Sequence, residues 1–177
     1  MKRLITVFIA FAAISVTLSA QNFRYRGNVG GELGFGVLVD GSKQEFQYAY
    51  FGPAVTTVHG LEFFDAWNIG LGAGLGYIVG SDGDGDVDSG LLASIFLHTD
   101  YAFCKGRNTR PFVEGRVGFM YGAELSGPSF GIGAGLRIRD RWDVGFMIRR
   151  ARDDYQYYAA EGGYIAFIPS FQFSWRF

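Results

Sequence analysis

From Trp67 onward the chain alternates: Trp67, Ile69, Leu71, Ala73, Leu75, Tyr77 and Val79 occupy odd positions, with Asn68, Gly70, Gly72, Gly74, Gly76 and Ile78 between them. A period of two held over about a dozen residues gives a β-strand one apolar face. The pattern returns near the end, where Ile165, Phe167, Pro169, Phe171, Phe173, Trp175 and Phe177 alternate with Ala166, Ile168, Ser170, Gln172, Ser174 and Arg176. Both runs exceed the roughly 5 to 6 residues usual for strands of soluble proteins.

The same rule predicts six further strands. The first spans about 28–39, with Val29, Leu33, Phe35, Val37 and Val39 opposite Glu32, Gly34 and Gly36. The second, about 46–58, is the least regular and sets Phe46, Tyr48, Tyr50, Ala54 and Val58 on its apolar side. The fourth sets Leu91, Ala93, Ile95, Leu97, Tyr101 and Phe103 against Ser94, His98 and Asp100, and the fifth sets Val113, Val117, Phe119 and Tyr121 against Glu114, Arg116 and Gly118. The sixth sets Phe130, Ile132, Ala134, Leu136 and Ile138 against Gly131, Gly133, Gly135, Arg137 and Arg139; the seventh sets Trp142, Val144, Phe146 and Ile148 against Asp143, Gly145, Met147 and Arg149.

The face opposite the apolar one decides the class. In a soluble sandwich or barrel it would meet water and be rich in Lys, Glu and Thr. Here it is mostly glycine, of which the chain has 27, with scattered Arg, Asp, Glu and Ser. Such a face suits the interior of a narrow eight-stranded barrel, where glycine leaves room for long arginines. The apolar face then meets lipid, and closure removes the unpaired edges that hydrocarbon does not tolerate. The expected fold is all-β, an eight-stranded antiparallel up-and-down transmembrane β-barrel. A soluble barrel holding an apolar ligand is the alternative, and the Gly/Arg face argues against it. With 16 Lys and Arg against 17 Asp and Glu and no basic run, nucleic acid is excluded as a partner. The lone cysteine, Cys104, can form neither an internal disulfide nor, without neighbouring His, a structural zinc site.

Residues 1–20 read as a signal peptide: Lys2 and Arg3 precede an apolar run from Leu4 to Leu18 that ends in Ser19-Ala20. Residues 21–177 form the barrel, and the expected location is the bacterial outer membrane. With both termini periplasmic, the inner turns fall at His59–Ala66, Cys104–Arg110 and Asp140-Arg141, and the outer loops include the acidic Ser81–Gly90 and the longer Arg150–Gly163. On that map Trp67, Trp142 and Trp175 mark a periplasmic aromatic girdle, and Tyr48, Tyr50, Tyr77, Tyr121 and Tyr164 an outer one.

Three segments together carry a resemblance: His59-Gly60-Leu61 through Trp67-Asn68-Ile69-Gly70-Leu71-Gly72-Ala73-Gly74, the Arg110-Pro111-Phe112-Val113-Glu114 start of strand 5, and the aromatic terminus Phe173-Ser174-Trp175-Arg176-Phe177. The chain resembles the porin-like small outer-membrane barrels of Bacteroidetes, related in architecture to OmpA/OmpX-type barrels. The resemblance implies that Phe173, Trp175 and Phe177 are an insertion signal recognised by the barrel-insertion machinery, besides facing lipid. Small barrels of this architecture include lipid A deacylases, but their His-x-Ser-Asn stretch does not occur here.

Glu32, Asp100, Glu114 and Asp143 with Arg116, Arg137, Arg139, Arg149 and Arg176 are expected to form an interior charge network, because an unpaired charge in a narrow lumen is costly. The competing reading is a pore whose charges select ions. Ser94, His98 and Asp100 share a face, but Ser94 and His98 are separated by roughly 13 Å along a strand, beyond hydrogen-bond reach. Asp82, Asp84, Asp86 and Asp88 invite a calcium-loop reading, yet position 1 of the best register is Gly80 and position 12 is Leu91, so a solvated acidic loop is preferred. The Arg150–Tyr158 stretch mixes Arg with Tyr, as binding loops and bilayer rims both do.

The functional expectation is a monomeric, non-enzymatic barrel serving envelope structure, adhesion or surface binding. No cofactor is expected, and its partners are outer-membrane lipid and lipopolysaccharide. A narrow porin and an envelope lipid-modifying enzyme are the alternatives.

Overall fold

The computed structural model describes residues 23–40, 46–82, 87–122, 126–153 and 164–177. The expected signal peptide, Asp84, Asp86 and most of the Arg150–Tyr158 stretch lie outside them. Eight strands follow one another: β1 (Phe23–Asp40), β2 (Phe46–Phe63), β3 (Trp67–Asp82), β4 (Val87–Ala102), β5 (Thr109–Tyr121), β6 (Gly127–Ile138), β7 (Trp142–Asp153) and β8 (Tyr164–Arg176). Each pairs antiparallel with the next, and β8 returns to β1, closing the barrel. Strands of 12 to 18 residues exceed the roughly 9–11 that cross a bilayer at the usual tilt.

The wall follows the alternation. In β3, Trp67, Ile69, Leu71, Leu75, Tyr77 and Val79 are exposed while Asn68, Gly70, Gly72 and Gly76 are buried. In β5 through β8 the outward face is likewise Val113, Val117, Phe119, Phe130, Ile132, Leu136, Val144, Phe146, Ile148, Phe167 and Phe171. A continuous apolar belt on a closed barrel is a surface for hydrocarbon, and in water it would be a severe liability.

Strand 2 departs from the sequence reading. Tyr50 and Val58 point inward and are buried and Ala54 is half-buried, while Phe51, Val55, His59 and Leu61 face out. The register explains the parity, because Val58 sits opposite inward Asn28 and Gly72. Tyr50 therefore belongs to the interior and not to the outer aromatic girdle, where Tyr77 and Tyr121 do lie exposed. The strand also runs to Phe63, so the predicted turn His59–Ala66 contracts to 64–66.

The connections 64–66, 103–108 and 139–141 lie at one end of the barrel, with Phe23 and Phe177. We call this the turn end, the periplasmic side in barrels of this type. Ala66 N bonds Phe63 O at 3.1 Å around Phe64 and Asp65 (φ 54° and 53°), and Arg141 N bonds Ile138 O at 3.1 Å around Arg139 and Asp140 (φ 52° and 57°). Positive φ at both central residues defines type I′ turns, whose twist matches a hairpin. Arg139, expected in the lumen, is instead an exposed turn residue. Simple alternation places it inward only if β6 continues past Ile138, where the turn begins.

The β8–β1 seam closes through Phe177, whose backbone exchanges bonds with Gly27 at 2.9 and 3.0 Å. Its ring covers Gly27 so closely that a Cβ there would come within 2.5 Å of it, and it meets the His59 ring edge-on at 6.1 Å. Gly27→Val is expected to lift this ring off the seam and destabilise the barrel by about 1–3 kcal/mol. The check is the denaturant midpoint at which the fast-migrating, heat-modifiable gel band disappears.

Candidate functional site

Inward side chains from the strands form one chain of alternating charge along the lumen. At the turn end Glu62 receives Arg24 (2.5 Å), Arg26 (3.4 Å) and Arg176 (3.1 Å). Arg176 reaches on to Asp143 at 3.6 Å. Arg137 grips both oxygens of Asp143, with Nε to Oδ1 at 2.9 Å and Nη2 to Oδ2 at 3.0 Å, and donates to Asp100 Oδ1 at 2.7 Å. Asp100 Oδ2 accepts from Asn68 at 3.1 Å and lies 3.0 Å from His98 Nε2. His98 Nδ1 lies 3.6 Å from Glu114, which meets Arg116 at 3.4 Å. Arg116 pairs with Glu32, and Glu32 with Arg149 at 2.8 Å. Gln172 accepts from Arg116 at 2.8 Å and donates to Glu114, bracing the middle of the chain.

The structure thus brings together Glu32, Asp100, Glu114, Arg116, Arg137, Asp143, Arg149 and Arg176, and leaves Arg139 outside. Sequence reasoning missed Glu62, Arg24 and Arg26 because it ended strand 2 and began strand 1 too far from the turn end. It missed buried Arg110 for the same reason: Arg110 donates to the Asp65 carbonyl at 2.7 Å and pairs with Asp140, tying two turns together. With Val58 read on the lipid side, alternation carried on from it would have put Glu62 outside; register against the neighbouring strands is what places it inside.

Glycine does more than admit arginine. Phe96 points inward over Gly72, where a Cβ would meet its ring at 2.3 Å, and Arg116 lies 4.9 Å above that ring. Phe112 repeats the device beside Gly135, with Arg137 at 5.3 Å. Each stack is a glycine floor, an aromatic ring and a guanidinium, so the ring's π face adds cation–π attraction to the ion pair.

Beyond Arg149 the interior turns apolar: Tyr50, Leu92, Met120, Ala151, Ala166 and Ile168 form one cluster with Ile78. Two small cavities lie among the described residues. A cavity of about 20 Å³ lies among Asn28, His98, Asp100, Glu114 and Arg116, and one of about 30 Å³ lies among Tyr50, Ile78, Leu92 and Ile168. Each is about the size of one water molecule. Both ring nitrogens of His98 face carboxylates, and Ser94 is not among its partners.

On the outer wall Phe173, Trp175 and Phe177 are exposed, with Trp142 stacked on Phe173 at 5.1 Å and Trp175 against Phe177 at 5.2 Å. A polar chain lies beside them. Thr57 donates its hydroxyl hydrogen to the Asn28 carbonyl at 3.0 Å, so its oxygen accepts from His59 Nε2 at 3.0 Å, which leaves Nδ1 to accept from the Tyr25 hydroxyl. One tautomer satisfies every donor, as a wall in hydrocarbon requires.

Asp82 ends β3 and Asp88 is the second residue of β4, and no metal-binding cluster of carboxylates, His or Cys occurs among the described residues.

No family model matches the chain, and no curated protein matches it. Solved structures do. Neisserial surface protein A superposes with a TM-score of 0.52 at 12% identity, over 89% of this chain and 100% of its own. Ail, the attachment invasion locus protein of Yersinia pestis, solved with the heparin analogue sucrose octasulfate, superposes with a TM-score of 0.53 at 5% identity, over 87% of this chain and 99% of its own. The chain therefore has the fold of the small bacterial outer-membrane barrels.

Proposed function

We propose that the chain is an integral outer-membrane barrel that neither conducts nor catalyses, and that holds its loop-end connections at the cell surface for envelope structure, adhesion or surface binding. One observation carries this reading: among the described residues the lumen is filled by side chains. The ion-pair chain runs from Arg24 to Arg149, the apolar cluster around Met120 follows it, and two cavities among the described residues are of about 20 and 30 Å³. A conducting pore needs a continuous water path, and five carboxylates, Glu32, Glu62, Asp100, Glu114 and Asp143, are each engaged by a guanidinium. The environment of His98 supports the non-enzymatic part, since a nucleophilic site needs a hydroxyl or thiol within reach of its base. Phe173, Trp175 and Phe177 are the recognition signal for insertion on this reading, and the folded barrel is a monomer.

In planar bilayers the heat-modifiable protein is expected to stay electrically silent. Steady single-channel steps that scale with the number of inserted barrels would replace this reading with that of a narrow porin.

A further inference from the structure

The interior network leaves three arginines unused at the turn end. Arg107, in the connection 103–108, and Arg139 and Arg141, in the β6–β7 turn, are all exposed at the turn end. Among the described residues their guanidiniums have no ion-pair or hydrogen-bond partner. The nearby carboxylates are already engaged. Asp65 pairs with Lys105 at 2.9 Å and Arg24 at 3.3 Å, and the hydrogen bond from Lys105 holds its carboxyl below the usual aspartate range. Asp140 pairs with buried Arg110.

The three are held as one surface. Arg139 N bonds the Asn108 carbonyl at 2.6 Å, Arg107 N bonds Cys104 O at 3.3 Å, and Arg176 N bonds Arg141 O at 2.7 Å. Next to them on the wall are exposed Tyr101, Phe103, Trp142 and Trp175, with Tyr101 and Phe103 edge to face at 5.0 Å. Such rings sit at headgroup level, so the guanidiniums stand at the depth of the phosphates. Arg139 holds φ 52° in a type I′ turn where Asn or Gly fits without strain, so turn stability alone does not account for an arginine there.

We infer that Arg107, Arg139 and Arg141 form a binding surface for anionic phospholipid headgroups in the leaflet at the turn end. Planar guanidiniums match phosphate oxygens two at a time, and a juxtamembrane cluster of cations draws anionic lipid to itself. The inference rests on the barrel spanning a bilayer and is independent of whether the lumen conducts.

The test is tryptophan quenching in vesicles, since Trp67 and Trp142 begin strands at the turn end and Trp175 lies one residue from the end of β8 there. Protein refolded in phosphatidylcholine vesicles is titrated with brominated phosphatidylglycerol and, separately, brominated phosphatidylcholine. The expected preference for the anionic lipid is on the order of fivefold. It should fall to near unity in R107Q/R139N/R141Q, whose heat-shifted band should persist because asparagine suits the left-handed position. It should survive in R107K/R139K/R141K, which keeps the charge. Equal quenching by both lipids in the unaltered protein, or a preference retained in the Gln/Asn variant, would overturn the inference. So would loss of the preference to millimolar inorganic phosphate at constant ionic strength, which would mark a soluble-phosphate site. A protein that neither floats with vesicles nor shows a heat shift would overturn the membrane reading as well, and is thereby told apart from a failure of lipid selectivity alone.

Discussion

Methionine at position 137 is expected to lower the stability of the barrel by about 3–5 kcal/mol, because it removes the charge that two buried carboxylates share. Arg137 is fully enclosed and binds Asp143 through both oxygens and Asp100 at 2.7 Å. Methionine keeps much of the stem that packs near Phe112, so the loss is electrostatic and not a cavity. The measurement is urea unfolding in detergent micelles, followed by loss of the heat-modifiable band. If uncompensated charge is the cause, adding Asp100→Asn and Asp143→Asn to Arg137→Met should recover most of the loss. A change below about 1 kcal/mol in the single variant would mean that the network contributes no more than a solvent-exposed pair does.

Gly118→Val is expected to be comparably harmful, about 3 kcal/mol or outright failure to give the folded band. A Cβ at Gly118 meets the Ile95 carbonyl oxygen at 2.1 Å and Phe96 Cα at 2.6 Å. These are backbone atoms of the neighbouring strand and have no rotamer to escape into. Phe96, hemmed in by Gly72 on its other side, cannot yield without leaving Arg116. Gly31→Val is the control: nothing lies within 4 Å of a Cβ there, and the expected change is within about 0.5 kcal/mol. Equal effects at the two positions would show that strand propensity, and not close approach, governs the glycines.

Much of the barrel was legible because two signals coincide on most strands: large apolar residues on one parity and glycine or charge on the other. Where they conflict, reading fails. The outward face of β2 carries Pro53, Thr57 and His59 while Tyr50 and Val58 go inward, so hydrophobicity points the wrong way. Only register against β1 and β3, including the irregularity at Leu38/Val39, fixes the parity. The turns Phe64-Asp65 and Arg139-Asp140 adopt I′ geometry without the Asn or Gly that announces it, which hid Glu62 on one side and misplaced Arg139 on the other. The interior charges could be named from alternation, but not their partners. Arg116 and Glu32 are 84 residues apart and meet across the lumen, through the stagger of the closed barrel, which no single strand encodes.

The filled lumen has a mechanical consequence. Hydrostatic pressure unfolds proteins by eliminating internal voids, and lateral load deforms a hollow cylinder more readily than a packed one. With cavities of about 20 and 30 Å³ beside cross-braced charges, the described part of this barrel offers compression little to collapse. It should behave as a stiff strut of fixed hydrophobic height, so that where bilayer and barrel differ in thickness the lipid thins or thickens around the protein.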